Sequence, residues 1–210
     1  MARRRVVAVA CSGGRDSVAL LHATTRAAQP LGIHVVALHV HHGLQAEADG
    51  WWAHVEHLCA RWHAAGFPVR FVGHRVDGAP ARGDSVEAWA RAVRHAALAR
   101  MAQDAGATLL LLGHHRRDQA ETLLLQALRG AGTAGLAGMA AQDGPVAARR
   151  GDEAGLRRAR PWLGRSRDDV DAYVRAHGLD HVDDPSNADT RFARNRPRHA
   201  VGPALTGGFP

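Results

Sequence analysis

Short, continuous apolar runs alternate along this chain with longer segments in which apolar residues recur every three or four positions. The continuous runs predict strands that are buried on both faces, at residues 6–10, 33–40, 69–73 and 108–112. The periodic segments predict helices at residues 16–28, 46–65, 84–105, 118–128 and 165–177. This alternation predicts an α/β fold with a doubly wound, mostly parallel sheet that helices cover on both faces.

Turn-forming residues separate these elements. Asp84, with Glu87 three residues later, has the spacing of a capping box and predicts the start of the third helix. Residues 130–144 are rich in Gly and Ala and predict a mobile loop, whereas residues 183–196 predict irregular structure.

The turn after the first strand carries the chemistry that stands out most, the sequence Cys-Ser-Gly-Gly-Arg-Asp-Ser at residues 11–17. Gly13 and Gly14 allow a ligand to approach the backbone, and the following helix offers its N-terminal amides to an anion. The Asp16 carboxylate would repel phosphate unless a cation lay between them, so the turn favours pyrophosphate together with Mg²⁺. An ordinary tight strand-to-helix turn remains the alternative.

Two common phosphate-binding loops do not fit this turn. A Walker A loop needs a lysine, and all 27 basic residues of the chain are arginine. The dinucleotide-binding loop needs glycines spaced as G-x-G-x-x-G, whereas Gly13 and Gly14 are adjacent.

Composition limits the other classes of function. The formal net charge of +7 is typical of a nucleic-acid partner, although arginine-rich codon usage would explain it equally well. Cys11 and Cys59 are the only cysteines and form no C-x-x-C pair, so iron–sulfur, zinc-ribbon and redox motifs lack ligands. No apolar run approaches about 18 residues, which predicts no membrane span, and we expect a cytoplasmic protein.

Polar segments follow three of the predicted strands, after Ala10, Leu38 and Leu112. The carboxyl ends of parallel strands meet at one edge of a sheet, so these segments predict one shared site. The histidines there could pack against or hydrogen-bond a base such as adenine, bind a metal, or simply end the strands; they are His39, His41, His42, His114 and His115. A zinc site would need about four ligands, and no cysteine lies nearby in the sequence.

Charged residues on the predicted helices and in the C-terminal segment add candidates. Asp118 and Glu121 are three residues apart, share a helix face and could hold an ammonium group or a metal, although acids are also common in a first helical turn. Four arginines are candidates for which a solvated face is the alternative explanation, namely Arg91, Arg94, Arg194 and Arg196.

Taken together, the order and spacing of these segments resemble those of the tRNA(Ile)-lysidine synthases, a family of PP-loop ATP pyrophosphatases, over roughly residues 5–205. The segments that carry the resemblance are S-G-G-R-D-S at 12–17, H-V-H-H-G-L at 39–44, E-A-W-A-R at 87–91, G-H-H-R-R-D-Q-A-E-T at 113–122, R-G-A-G at 129–132, G-L-A-G-M at 135–139, R-P-W-L at 160–163, D-D-P-S-N at 183–187 and R-N-R at 194–196. The resemblance implies an adenine-nucleotide α-hydrolase-like fold.

The resemblance also implies an activity, in which ATP adenylates the wobble cytidine of a tRNA(Ile) with a CAU anticodon and L-lysine then displaces AMP at C2 to form lysidine. The implied cofactors are ATP and Mg²⁺, with Asp16 holding Mg²⁺ through ATP. The implied catalytic residues are Asp16, Arg91, Asp118, Glu121 and Arg194. The implied ATP-binding residues are Ser12, Gly13, Gly14, Arg15, Asp16, Ser17, His39, His41, Gly113 and His114. Asp118 and Glu121 would bind lysine, and the implied tRNA contacts are Arg129, Arg194 and Arg196.

The chain departs from the family in two respects. Arg117 stands where the family often has a second acid, and we expect the helical C-terminal tRNA-binding domains of the family to be absent. We therefore expect a catalytic domain over residues 1–200, with an accessory segment at about 145–200, and a truncated linker at 201–210. Another PP-loop adenylating enzyme such as a tRNA thiolase, or a non-catalytic nucleotide- or RNA-binding remnant, remains open, as does the oligomeric state. The missing C-x-x-C pairs count against iron–sulfur-dependent thiolation.

Overall fold

The computed structural model describes residues 5–43, 45–83, 85–144 and 155–183, and strands and helices alternate through most of them. The strands are β1 (Val6–Ala10), β2 (His34–His41), β3 (Val69–Arg75), β4 (Leu109–Leu111), β5 (Gln142–Asp143) and β6 (Arg157–Ala159). The α-helices are α1 (Arg15–Ala28), α2 (Ala48–Ala64), α3 (Val86–Asp104), α4 (Arg116–Leu128) and α5 (Arg167–His177). Short 3₁₀ turns occupy Gln29–Leu31 and Gly135–Ala137.

The six strands form one sheet in the order β3-β2-β1-β4-β6-β5. All neighbouring pairs are parallel except β5 and β6. The chain runs outward from β1 to β3 and then returns to β4 on the other side of β1, so a topological switch point lies between β1 and β4. This arrangement confirms the predicted doubly wound sheet.

Apolar residues of the strands point alternately to the two faces of the sheet, and each face is buried. Val9, Val35 and Ala37 pack into a cluster with residues of α1, α2 and α5. Ala8 and Val36 pack on the opposite face, in a cluster with residues of α3. Continuous apolar strands therefore mark a sheet with two covered faces, as their pattern predicts.

Several boundaries differ from the prediction for identifiable reasons. Pairing with β3 continues to His41, which lies opposite Arg75, so β2 ends one residue later than the predicted strand at 33–40 and includes His41 as well as His39. The N-cap of α3 is Ser85, whose hydroxyl accepts the Ala88 N–H at 3.3 Å, and not Asp84, which lies outside the described residues. α4 begins two residues earlier than predicted because a histidine caps it.

Residues 130–144, predicted as a mobile loop, are attached to α4. The Gln119 side chain forms two hydrogen bonds with the Met139 backbone, donating to its carbonyl at 3.0 Å and accepting from its N–H at 2.7 Å. A Cβ at Gly138 would lie 2.7 Å from the Gln119 amide nitrogen, and Gly138 has a φ of +68°, so glycine is required there. The segment also contains a 3₁₀ turn and β5.

Strand β6 is an element that the sequence pattern does not predict, because it is three residues long and begins with two arginines. None of the described helices combines the length and the apolar content that crossing a bilayer needs.

A buried histidine lies between α1 and α5. His22 is 7% exposed, its Nδ1 is 2.9 Å from the Tyr173 hydroxyl, and its ring contacts those of Trp62, Phe67 and His177. Burial, reinforced by the charges of His177 and Arg26, lowers the pKa of His22 to about 4. The folded state therefore holds this imidazole in its neutral form.

We expect acid to weaken the fold through this residue. The folded pKa of His22 lies below the ordinary value of 6.5, so below pH 6.5 the unfolded chain takes up the proton first. The contribution of the neutral His22 imidazole to the free energy of unfolding is fully present above pH 6.5. It falls by on the order of 3 kcal/mol as the pH drops to about 4. His22→Gln should therefore show a smaller fall in the free energy of unfolding between pH 7 and pH 4.

Urea denaturation across this pH range measures the effect. The control is His57→Gln, at an exposed position of α2. If wild type and His22→Gln lose the same free energy of unfolding on acidification, the buried histidine is not the source.

Candidate functional site

The loop between β1 and α1 presents a helix N-terminus without a side-chain cap. The N-cap residue of α1 is Gly14, which has no side chain to accept a hydrogen bond from the first turn. The first-turn amides are therefore available to an anion. The Ser17 hydroxyl donates to the Gly14 carbonyl at 2.8 Å and accepts the Ser12 N–H at 3.2 Å. The Ser12 hydroxyl lies 3.3 Å from that of Ser17. The two serines thus shape the loop and add hydroxyl groups to it.

Close packing on two sides explains the glycines around this loop. Gly13 has a φ of +93°, and a Cβ there would lie 3.1 Å from Val182, whose N–H donates to the Gly13 carbonyl at 3.0 Å. On the other side, a Cβ at Gly113 would lie 3.2 Å from the Asp16 carbonyl oxygen. Gly113 therefore allows the segment after β4 to contact the first turn of α1.

The Asp16 carboxylate has the character of a cation ligand. Its Oδ1 atom is buried and has no hydrogen-bond partner among the described residues. Burial raises the pKa of Asp16, while the charges of His115 and Arg15 oppose that rise. Mg²⁺ prefers carboxylate and phosphate oxygens, so a carboxylate oxygen that accepts no hydrogen bond, beside an anion-binding helix end, fits this ion. The neighbouring Arg15 has its Nε 4.0 Å from Asp16 Oδ1 and also forms an ion pair with Asp171 of α5 at 2.7 Å.

His115 lies between the loop and α4. Its Nε2 is 3.8 Å from Asp16 Oδ2, and its Nδ1 is 3.5 Å from Asp118 Oδ2. It also caps α4 reciprocally, because its Nδ1 accepts the Arg117 N–H at 3.2 Å and its own N–H donates to Asp118 at 2.9 Å. The H-x-x-D spacing is the sequence signal for this cap, but the usual N-cap residues are Ser, Thr, Asp and Asn, so sequence reasoning missed the role.

A cavity of about 330 Å³ opens between the start of α3 and the length of α4. Its lining residues are Ser85, Glu87, Ala88, Arg91, His114, Asp118, Glu121, Thr122, Leu125, Gln126, Arg129 and Met139. The structure thus brings together five of the residues predicted for the site, namely Arg91, His114, Asp118, Glu121 and Arg129. Glu87, predicted to take part in a helix cap, lines the cavity as well.

The cavity combines a neutral histidine with charges of both signs. Burial lowers the pKa of His114 to about 4, with Arg160 and Arg91 adding to the effect and Asp118 opposing it. Its Nδ1 is buried without a hydrogen-bond partner among the described residues. Glu121 is 7% exposed, and its Oε1 lies 3.3 Å from Arg117 Nε. Such a lining can bind a ligand that carries both charged and apolar groups.

The two histidines at the C-terminal end of β2, His39 and His41, have partners within the protein. His39 Nδ1 lies 2.9 Å from the Cys11 carbonyl, to which it donates, and burial lowers the pKa of His39. His41 Nε2 lies 3.3 Å from Asp49 Oδ1, and its Nδ1 accepts the Gly43 N–H at 3.2 Å. A contact with adenine remains a prediction for both histidines.

Arg194 and Arg196, predicted to contact nucleotide and tRNA, lie outside the described residues. Within the described part of the chain, no three His, Cys, Asp or Glu side chains are grouped so that they could hold a metal ion by themselves. A cation at Asp16 would therefore need further ligands from a bound molecule.

Comparison with known proteins gives consistent results. The sequence profile of the PP-loop domain family matches residues 2–205. The tRNA(Ile)-lysidine synthase of Ralstonia nicotianae is 49% identical over 209 residues, covering 97% of this chain and 41% of the relative. The enzyme of the same name from Pseudomonas aeruginosa is 44% identical over 203 residues, covering 96% and 42%. The chain thus spans about two fifths of the length of these relatives.

A solved structure supports the fold alone. The U34-tRNA thiolase NcsA from Methanococcus maripaludis, with its [4Fe-4S] cluster, superposes with a TM-score of 0.74 at 14% sequence identity. The match covers 98% of this chain and 67% of the thiolase chain.

The contact between Gly113 and α1 is directly testable. In Gly113→Ala, the new Cβ would lie 3.2–3.4 Å from backbone atoms of Asp16 and Ser17, so the first turn of α1 must shift. We expect the affinity for Mg²⁺-pyrophosphate to fall about tenfold, because a displacement of a few tenths of an ångström misaligns charge-assisted hydrogen bonds. Isothermal titration calorimetry measures this affinity.

The matched control is Gly132→Ala, where a Cβ would meet nothing within 4 Å. Pyrophosphate affinities that are equal in the two variants would show that the loop tolerates the shift.

Proposed function

The chain belongs to the PP-loop domain family, and we propose that it uses ATP to ligate L-lysine to C2 of the wobble cytidine of tRNA(Ile), forming lysidine. One observation carries the proposal. His115 joins the anion-binding loop at Asp16 to Asp118, and Asp118 lines a cavity together with Glu121. A candidate site for a nucleotide phosphate would thus adjoin a candidate site for an ammonium group. The lysidine synthases to which the chain is similar support the same assignment.

The first step is adenylation of the cytidine. Its C2 oxygen attacks the α-phosphorus of ATP, the bond from that phosphorus to the bridging oxygen breaks, and pyrophosphate leaves. The first-turn amides of α1, with Ser12 and Ser17, would hold the leaving pyrophosphate. Asp16 would hold Mg²⁺, which, when bound, offsets the negative charge that develops on the leaving group. Arg91, near His114 in the cavity, would add a fixed positive charge that also offsets the negative charge developing in this step.

The second step transfers lysine. The ε-nitrogen, after losing a proton, forms a bond to C2, and the C2–O bond breaks to release AMP. Asp118 and Glu121 would bind the incoming ammonium group and orient it. Asp118 and Asp16 both lie near His115, so an amine held by Asp118 would arrive beside the adenylated base.

Recognition of the tRNA would rest on arginines. Arg194 and Arg196 are proposed to contact phosphates, which supplies affinity through counterion release without reading sequence. Selection of the CAU anticodon would then depend on how the wobble cytidine fits the site. ATP and tRNA are cytoplasmic substrates, so we expect the protein to act in the cytoplasm.

A tRNA thiolase activity has less support. The two cysteines of the chain, Cys11 and Cys59, are both 2% exposed. Burial raises the pKa of Cys11 to about 11 and that of Cys59 to about 12. Sulfur transfer and cluster binding need a thiolate, which these positions disfavour.

The decisive experiment combines the protein with ATP, Mg²⁺, labelled lysine and a tRNA(Ile) transcript bearing CAU. We expect label in the RNA together with AMP and pyrophosphate, and no label when uridine replaces the wobble cytidine. AMP formation without lysine transfer would indicate another adenylating enzyme. ATP binding without turnover would indicate a non-catalytic remnant.

Asp16 should be essential for the first step. In Asp16→Asn the side chain keeps its size but loses the charge that binds the cation, so we expect pyrophosphate release to become undetectable while the melting temperature stays near that of wild type. Asp180→Asn, at an exposed residue paired with Arg61, is the control. Near-normal pyrophosphate release by Asp16→Asn would contradict this role.

Asp118 and Glu121 should determine the affinity for lysine and have little effect on the affinity for ATP. Glu121→Gln and Asp118→Asn each remove one charged contact to the ammonium group, worth on the order of 1.5–3 kcal/mol, so KM for lysine should rise about 10- to 150-fold. The dissociation constant of ATP should change little. Glu56→Gln, at an exposed position of α2, serves as the control. A collapse of ATP affinity with an unchanged KM for lysine would assign the pair to the nucleotide or its metal.

A further inference from the structure

The face of α4 that lines the cavity changes character along its length. Asp118, Glu121, Thr122, Leu125 and Arg129 succeed one another at helical spacings, so they form one stripe. Carboxylates occupy its first two turns, an apolar side chain its middle, and a guanidinium its end, where Arg129 is the C-cap residue. The stripe therefore has a negative end, an apolar middle and a positive end.

The negative end is the one that adjoins the PP-loop. Asp118 Oδ2 lies 3.5 Å from His115 Nδ1, and His115 Nε2 lies 3.8 Å from Asp16 Oδ2. Arg91 also lines the cavity, near enough to His114 to lower the pKa of that imidazole. Arg129 lies three turns further along α4 and is the cation at the opposite end.

The dimensions of the stripe suit an extended amino acid. The Cα atoms of Glu121 and Arg129 are separated by about 12 Å of helix. Side chains on a helix lean toward its N-terminus, so the Glu121 carboxylate and the Arg129 guanidinium shift in the same direction and their separation stays similar. An extended lysine measures roughly 7 Å from its ε-nitrogen to its carboxylate, and a hydrogen bond of about 3 Å at each end brings the span to about 13 Å.

We propose that Arg129 binds the α-carboxylate of the lysine substrate, which then lies along α4 with its ε-amine at the PP-loop end. The methylene groups contact Leu125 and Met139, whose backbone Gln119 holds with two hydrogen bonds. Arg129 is thus a specificity-determining residue that distinguishes an amino acid from a simple amine. This inference rests on the proposed function.

The orientation also follows from the chemistry. The atom that attacks C2 is the ε-nitrogen, so it must lie beside the loop where the nucleotide is bound, and the carboxylate must lie at the far end. An arginine pairs with a carboxylate through charge-assisted and often bidentate hydrogen bonds. The reverse orientation would place the carboxylate against Asp118 and Glu121, where like charges repel.

The test compares lysine with cadaverine, the diamine that keeps the reactive amine and all five carbons between its nitrogens but lacks the carboxylate. We expect wild type to prefer lysine, by kcat/KM, at least tenfold, since one charge-assisted pair distinguishes the two substrates. In Arg129→Gln, KM for lysine should rise about tenfold while KM for cadaverine stays unchanged, so the preference disappears. Arg129→Lys should restore part of it, because it keeps the charge without the planar fork.

The matched control is Arg100→Gln, at an exposed position of α3 outside the cavity lining, which should keep the wild-type preference. The inference is overturned if wild type uses cadaverine as well as lysine. It is also overturned if Arg129→Gln keeps the preference and raises only KM for tRNA, which would make Arg129 a tRNA contact alone. Failure of wild type to transfer either amine to the RNA would instead contradict the proposed function itself.

Discussion

The contact between Gly113 and the first turn of α1 determines where the functional groups of this molecule lie. β1 and β4 are adjacent and parallel, with Val9 opposite Leu111, so the chain leaves both strands at the same edge of the sheet. A Cβ at Gly113 would lie 3.2 Å from the Asp16 carbonyl oxygen, which shows how closely the two exits approach. Two residues later, His115 reaches both Asp16 and Asp118. The approach of two backbones thus sets the separation of two carboxylates.

α4 shows how a helix can expose polar residues to a cavity and still be held in place. Glu121 is its one buried residue within the described structure, so apolar packing contributes little to its position. Polar contacts position it instead. Arg116 donates from its backbone to the Arg165 carbonyl at 2.9 Å and from its side chain to the Gly164 carbonyl at 2.6 Å, and Gln119 binds Met139. These contacts hold the N-terminal part of α4. The stripe from Asp118 to Arg129 stays available to a ligand.

Local patterns predicted most of the fold and both halves of the site. Strands with two buried faces are continuously apolar, and amphipathic helices have a period of 3.6 residues, so both are visible in single segments of sequence. Gly13 and Gly14 likewise predict close approach to the loop backbone, whereas the contact of Gly113 with the first turn of α1 is visible only in the structure. Because strand ends converge in a parallel sheet, the neighbouring positions of the loop and of α4 could be inferred as well.

What could not be predicted depends on contacts between distant segments. β6 is short and begins with arginines, and only its pairing with β4 makes it a strand. Glu87 has the spacing of a capping residue, but α4 lies opposite it and makes it part of a cavity wall. Arg15 belongs to a loop that predicts anion binding, yet its guanidinium pairs with Asp171, more than 150 positions away. Spacing along the chain carries no information about such partners.

These distant partners make the segment around α5 part of the site. Asp171 holds Arg15, Val182 donates to the Gly13 carbonyl, and Tyr173 contacts His22 two turns into α1. The β1–α1 loop is therefore supported on one side by β4 and on the other by residues that follow β6. Burial lowers the pKa of the His22 imidazole to about 4, so acid that protonates His22 weakens the packing of α1 against α5. The ion pair between Arg15 and Asp171 joins the first turn of α1, where an anion would bind, to this same interface.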